Sequence, residues 1–213
     1  MDFLPEEIDR YASEHTSAEP DYLQELNRET WQKVLVPRML SGHFQGRLLS
    51  MISHMLKPSR ILEIGTYTGY SALCLAEGLH ENGLLFTIDI NEELRPIQEK
   101  YIQKAGMDGK IRLLTGNAME VVPRLNEAWD LVFIDADKEN YIHYYNMVMA
   151  SAKSGTHLLL DNVLWSGKVV HEAAKKDEET RVLKELNKLI NNDPRVENIL
   201  LPIRDGLTLV RVK

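Results

Sequence analysis

From residue 5 to residue 56 the apolar positions recur at helical spacing. Leu4, Ile8, Tyr11 and Ala12 make one such stripe, Leu23, Leu26, Thr30 and Val34 a second, and Phe44, Leu48, Met51, Ile52 and Met55 a third. The pattern predicts a helical preface without a strand. Between its last two helices lies Pro37-Arg38-Met39-Leu40-Ser41-Gly42-His43, a link rich in helix breakers. From Arg60 the period changes. Short apolar runs at 61–64, 84–88, 111–114, 131–134 and 156–160 read as strands, and helical patterns separate them at 68–79, at 91–105 behind an Asn91 cap, after Asn117, at 140–152 and at about 177–190. Two last strands, 198–201 and 207–212, are joined by a few residues around Asp205-Gly206, so they must be antiparallel neighbours. Regular β-α alternation with short turns predicts an α/β chain with a doubly wound, mostly parallel sheet. There are no repeats or linkers, and we expect one domain over 1–213, with residues 1–56 as a helical extension of a core at 57–213.

Composition narrows the classes. With 213 residues, 44% hydrophobic and 27% charged, the chain has an ordinary globular balance. A net charge of −7 argues against a general polyanion-binding surface. The lone Cys74 excludes an intrachain disulfide and suits a reducing compartment; beside Leu73 and Ala76 in a helical pattern, it reads as a buried structural thiol. The N-terminal Met1-Asp2-Phe3-Leu4-Pro5-Glu6-Glu7 is acidic where a signal peptide is basic, and no run approaches the roughly 20 apolar residues of a membrane span. We expect a soluble, cytoplasmic protein.

The chemistry sits where apolar strands break. Leu131-Val132-Phe133-Ile134 runs directly into Asp135-Ala136-Asp137-Lys138, and Leu158-Leu159-Leu160 into Asp161-Asn162. In open α/β sheets ligands bind beyond the carboxyl ends of the strands. Asp135 or Asp137 could equally cap the next helix. If the two strands are neighbours, two carboxylates and an amide carbonyl meet at one edge, an all-oxygen set that suits Mg²⁺ and does not suit Zn²⁺. No H-E-x-x-H pair, no Cys/His cluster, no G-x-S-x-G around Ser71 and no G-x-x-x-x-G-K-[ST] loop occurs, so zinc, serine-hydrolase and P-loop chemistry lose support. After the first strand comes Glu63-Ile64-Gly65-Thr66-Tyr67-Thr68-Gly69-Tyr70-Ser71, a glycine turn that lets a ligand approach a helix N-terminus. Tyr67 replaces the second glycine of the dinucleotide fingerprint and would crowd a pyrophosphate. Asp89 ends the second strand where a ribose-binding carboxylate is expected. Together they suggest an adenosine ligand without a pyrophosphate, S-adenosylmethionine being the obvious one.

The glycine turn, the stretch Phe133-Ile134-Asp135-Ala136-Asp137-Lys138 and the stretch Asp161-Asn162-Val163-Leu164-Trp165-Ser166-Gly167 together resemble the cation-dependent O-methyltransferases, the group of the catechol and caffeoyl-coenzyme A enzymes. The resemblance runs from about Pro37 to the end and includes Asp205-Gly206-Leu207. It implies a Rossmann-like methyltransferase fold, with seven mostly parallel strands, an antiparallel last strand and N-terminal helices. It also implies S-adenosylmethionine as donor, Mg²⁺ or another divalent cation such as Mn²⁺ or Ca²⁺, and a homodimer. By position, Asp135, Asp161 and Asn162 match the metal ligands and Lys138 the catalytic lysine. Glu63, Gly65, Tyr67 and Ser71 match residues around the donor's methionine part, with Asp135 close by. Asp89 matches the carboxylate on the ribose, and Asn117 and Ala118 the adenine-side turn. Met39 and Ser41 match the segment closing over the cofactor. Met39, Lys138 and Trp165 fall where the acceptor is held. Thr208 stands where the mammalian catechol enzyme has a glutamate. The expected acceptor is a vicinal dihydroxyphenol of catechol or caffeoyl type. The alternative is hydroxylated uridine in tRNA, with Arg38, Arg47, Lys168, Lys175, Lys176, Arg204 and Arg211 as a basic rim.

Overall fold

A computed structural model describes residues 5–213, which divide into two compact units, one of Glu7–Asn117 and one containing Ala118–Lys213. The seven expected strands are all present. In the first unit β1 (Arg60–Ile64), β2 (Leu84–Asp89) and β3 (Ile111–Thr115) run parallel in the order β3-β2-β1, with Ile64 opposite Ile88 and Asp89 opposite Thr115. In the second, β4 (Leu131–Ile134) lies parallel to β5 (His157–Asp161), while β6 (Val196–Leu201) and β7 (Leu207–Val212) complete the order β4-β5-β7-β6. β7 runs antiparallel to both of its neighbours, β5 and β6. Every residue of β4 is buried, as an apolar run covered on both faces must be.

The helices fall close to where periodicity puts them: α1 (Glu6–Glu14), α2 (Asp21–Lys33), α3 (Gly42–Leu56), α4 (Tyr70–Ala76), α5 (Arg95–Lys104), α6 (Ala118–Leu125), α7 (Tyr141–Ser151) and α8 (Glu178–Asn192). Asn91 caps as expected, its side chain accepting the Glu93 N–H at 2.9 Å, but the first turn behind it is a 3₁₀ turn and α5 begins only at Arg95. In α2 the predicted stripe is the buried one, Leu23, Leu26 and Thr30 all lying inside.

Two stripes in the preface behave differently. In α1 Ile8 and Tyr11 face solvent, and Leu4 lies outside the described residues. In α3 the buried side is Gln45, Gly46, Leu49, Ser50, Ile52 and Ser53, and of the predicted face only Ile52 is among them; Met51 and Met55 are exposed. The rotation has a polar cause. Ser50 donates to Glu77 (2.5 Å), Ser53 to the Leu75 carbonyl (2.6 Å), and Arg47 makes a two-pronged ion pair with Glu77 (2.9 Å), so α3 turns its hydroxyls toward the end of α4. Cys74 is buried in this packing and its thiol is pushed up by desolvation, as a structural cysteine's should be.

Candidate active site

The second unit carries the strand-end half. Ile134 pairs with Leu160, the last pair of the β4/β5 ladder, so the chain enters Asp135 and Asp161 from the same carboxyl edge. Asp161 is buried, and its Oδ1 accepts the Asn162 N–H at 2.8 Å, which fixes the carboxylate. Asn162 itself is in the left-handed region at φ 60°, a conformation asparagine tolerates better than most residues. β4 and β5 are neighbours, as the metal reading required, so the two strand ends that lead into Asp135 and Asp161-Asn162 share one edge of the sheet. Among the described residues no three His, Cys, Asp or Glu cluster, so the candidate donors are two carboxylates and an amide oxygen. This is the donor chemistry of a hard divalent ion completed by water.

Lys138 is nearly buried, on the 3₁₀ turn that precedes α7. Its Nζ donates to Asp135 Oδ1 (3.2 Å), to the Ala136 carbonyl (3.0 Å) and to the Tyr141 hydroxyl (2.6 Å), the full donor capacity of an ammonium. Tyr141 is wholly buried, and desolvation together with Asp135 and Asp161 pushes its phenol well above the usual value, so it stays protonated. The capping alternative is not how the aspartates are used. Asp137 is at the cap position but takes no cap hydrogen bond, and its carboxylate instead accepts from Asn140 (2.5 Å) and Tyr144 (2.6 Å).

After Asn162 the chain is strained. Trp165 and Ser166 hold φ near 48° and 53°, and conformations of this kind cost on the order of 1–3 kcal/mol each unless the surroundings impose them. The surroundings are the β6–β7 turn. Val163 and Leu164 donate to the carbonyls of Gly206 (3.2 Å) and Asp205 (2.9 Å), and the Ser166 N–H donates to Asp205 Oδ1 (2.5 Å). Gly206 must be glycine, since a Cβ there would lie 2.5 Å from Leu164 Cγ. The Trp165 ring has Lys138 and Lys168 within 5.8 and 5.9 Å of its centre, and its indole N–H is buried without a protein partner. Burial pushes the Asp205 carboxyl up, and the Ser166 amide opposes the shift.

The first unit carries the glycine-turn half. Gly65 leaves β1 with φ 101° and donates to the Ile88 carbonyl at 2.9 Å. Tyr67 follows at φ 49°, held there because its N–H donates to Asp89 Oδ2 (2.7 Å) and its carbonyl accepts from Gln98 (2.7 Å). Asp89 also takes the Asn91 N–H at 2.9 Å, so the expected ribose carboxylate shapes the turn as well. Glu63 is fully buried on β1 and accepts from Thr87 Oγ1 at 2.5 Å. Ser71 lies buried in the first turn of α4. The Tyr67 hydroxyl donates to the carbonyls of Leu35 (3.2 Å) and Val36 (3.3 Å), which draws the link before α3 onto the turn; Met39 is exposed on that link and Ser41 buried at its end. Asn117 closes this unit, exposed, and Ala118 opens α6, buried.

The family model for O-methyltransferases matches residues 13–213. A caffeoyl-CoA O-methyltransferase of Populus trichocarpa is 36% identical over 204 residues, covering 91% of this chain and 82% of that protein. The chain belongs to the O-methyltransferase family. It is a methyltransferase, as the three ordered motifs imply, and its fold is that of solved members. The SAH-bound methyltransferase PaMTH1 of Podospora anserina superposes with a TM-score of 0.90 at 27% identity, covering 99% of this chain and 98% of that one. The Bacillus cereus O-methyltransferase in complex with SAH does so at 0.89 and 28%, covering 97% of each chain. Both bear out the Rossmann-like arrangement of mostly parallel strands with an antiparallel last strand.

Sequence reasoning missed Tyr141, Asp205 and Asn187. Asp205 was visible as a turn residue and as part of the resembling stretch Asp205-Gly206-Leu207, but not as the residue that holds the Trp165 loop. Asn187 holds the Val163 carbonyl at 2.9 Å from α8, and nothing in an amphipathic helix marks one amide as the one that reaches a distant loop. Three of the seven residues of the basic rim are ion-paired. Arg47 is paired with Glu77, Arg211 with Glu197 (2.8 Å) and Lys168 with Asp177 (3.2 Å). No helix of the described residues is long and apolar enough to cross a membrane.

Proposed function

We propose that this enzyme moves the methyl group of S-adenosylmethionine to one hydroxyl of a vicinal dihydroxyphenyl group, a catechol or a caffeoyl-type acceptor, with the help of a divalent cation. The observation that carries the reading is the pairing of β4 with β5, whose shared carboxyl edge leads into Asp135 and Asp161, with the Lys138 amine 3.2 Å from Asp135. SAH, the thioether left when the donor gives up its methyl, is what two structural neighbours hold, and caffeoyl-CoA is in the name of the plant relative. The glycine turn, with Tyr67 and Asp89 tied together, suits the donor's adenosine, and the family resemblance assigns Asn117 and Ala118 to its base.

Asp135, Asp161 and Asn162 would hold the cation, Mg²⁺ being the natural choice for this donor set. Bound there, it supplies Lewis acidity that makes an acceptor hydroxyl a stronger acid. Lys138 takes the hydroxyl proton, a step for which its amine must be in the neutral form. The acceptor oxygen then forms its bond to the sulfonium methyl as the carbon–sulfur bond breaks, and the sulfur leaves as a neutral thioether. Asp161, pinned by the Asn162 amide, keeps its carboxylate oriented, and Trp165 offers the acceptor ring an apolar wall. Positioning is the larger share of what such a site contributes.

The test is methyl transfer from labelled S-adenosylmethionine to a panel of vicinal dihydroxyphenols and caffeoyl-CoA, with bulk hypomodified tRNA alongside, in Mg²⁺ and in EDTA. Label should enter a phenol only when metal is present. Label entering only RNA would keep the chemistry and replace the acceptor; equal transfer in EDTA would remove the cation.

A further inference from the structure

We propose that Tyr141 is a positioning residue for methyl transfer, its phenol tying the Lys138 amine to the two strand ends that carry Asp135 and Asp161. The inference rests on the reading of Lys138 as proton acceptor. A lysine reaches its target on a flexible four-carbon stem, and ordering such a chain costs rotamer freedom. Something must hold it. Of the three groups around Nζ, the Tyr141 oxygen is the nearest, at 2.6 Å against 3.0 Å for the Ala136 carbonyl and 3.2 Å for Asp135.

The phenol is itself fixed. Its O–H faces two carbonyls, that of Asp161 at 2.9 Å and that of Ile134 at 3.2 Å, which belong to the last residues of β5 and β4. One hydroxyl hydrogen shared between those carbonyls leaves the oxygen's lone pairs to the amine. Tyr141 has no exposed surface, so neither its rotamer nor its hydroxyl can drift. The ring also lies under Nζ, 4.5 Å from its centre, which adds a cation–π attraction. Ala136 offers a carbonyl on the same turn as the lysine and ties it to nothing further. Only Tyr141 refers the amine to both strands at once. The spacing of three residues between Lys138 and Tyr141 makes this possible, because the 3₁₀ turn puts one above the other as α7 begins.

The variant is Tyr141→Phe, which keeps the ring and removes the hydroxyl. Its kcat should fall about tenfold or more, with KM for donor and acceptor within about threefold of wild type. In a Lys138→Ala background the same change should have no further effect on kcat, because no amine is left to position. A second readout needs no turnover. Labelling of Lys138 by an amine-reactive reagent, followed by peptide mass spectrometry below the melting transition, should speed several-fold in Tyr141→Phe. An unchanged kcat, an undiminished effect in the Lys138→Ala background, or unchanged labelling would each overturn the proposal. Full activity of Lys138→Ala alone would instead sink the lysine reading beneath it, and the labelling rate would still report whether the phenol holds the amine.

Discussion

Two residues at the strand ends have opposite reasons to be where they are. Asp161 is a buried carboxylate at the carboxyl edge that β4 and β5 share, and in the proposed reading its charge is there to hold a cation. The Asp161→Asn variant should therefore lose about a hundredfold or more in kcat/KM, and the remaining rate should not respond to Mg²⁺ in an initial-rate titration; a normal Mg²⁺ response would remove Asp161 from the site. Thr208 is the departure from the catechol enzyme. It is 2% exposed and its hydroxyl has no partner among the described residues, while its cross-strand neighbours are Leu160 and Leu200. A buried unpaired hydroxyl destabilises by about 1–3 kcal/mol, so Thr208→Val should fold as stably as wild type or more so in urea titration. A loss of stability would mean that the hydroxyl is satisfied after all.

Helices in the first unit are joined by devices of two sorts. Where α3 meets the end of α4 the backbones nearly touch: a Cβ on Gly78 would lie 2.2 Å from the backbone of Ser53 and His54. Gly78→Ala must push the two segments apart and should destabilise by about 2–3 kcal/mol, several degrees in melting temperature by calorimetry. Where α2 meets α5 the join is ionic. Glu29 takes Lys100, Lys33 (2.9 Å) and the Tyr101 hydroxyl (2.7 Å), and Lys104 pairs with Glu25. The hydrogen bonds from Lys100, then Tyr101 and Lys33, lower the Glu29 pKa from 4.5 to about 2. A depressed carboxylate stabilises the fold above its unfolded value and loses that contribution as pH falls through its folded one. Glu29→Gln should thus be less stable than wild type by about 1 kcal/mol at pH 7, and the gap should close between pH 4.5 and 2 in urea unfolding. An equal gap at pH 7 and pH 2 would rule out the ionic account.

At the scale of the molecule, the preface leaves Trp31, Met51 and Met55 more than half exposed. Large side chains of this type seek cover, and we propose a second copy of this chain as what covers them, in keeping with the homodimer that the family resemblance implies. Light scattering on a sizing column should give about twice the 24.5 kDa chain mass, and a monomer mass would end the idea. The same preface marks the reach of sequence reading. Helix and strand positions, the antiparallel last strand and the residues at both strand ends were legible, because buried parallel strands read as apolar runs and a carboxylate after such a run has few places to be. The face that α3 buries was not, nor was the part played by Tyr141.

By itself, then, the chain's sequence determined its class, its order of elements and the chemistry it keeps at the ends of β4 and β5. Periodicity and strand-end residue types are local properties, and they survive without knowledge of neighbours. Tertiary structure alone decided that β4 and β5, which lead into Asp135 and Asp161, are paired neighbours, that Asp205 and Gly206 shape the loop of Trp165, and that one phenol joins a lysine to two strands. Each of these is a meeting of residues 20 or more positions apart, or the choice of one partner among several within reach. Hydrogen-bond geometry and close packing make that choice, and neither is written in the spacing of hydrophobic residues.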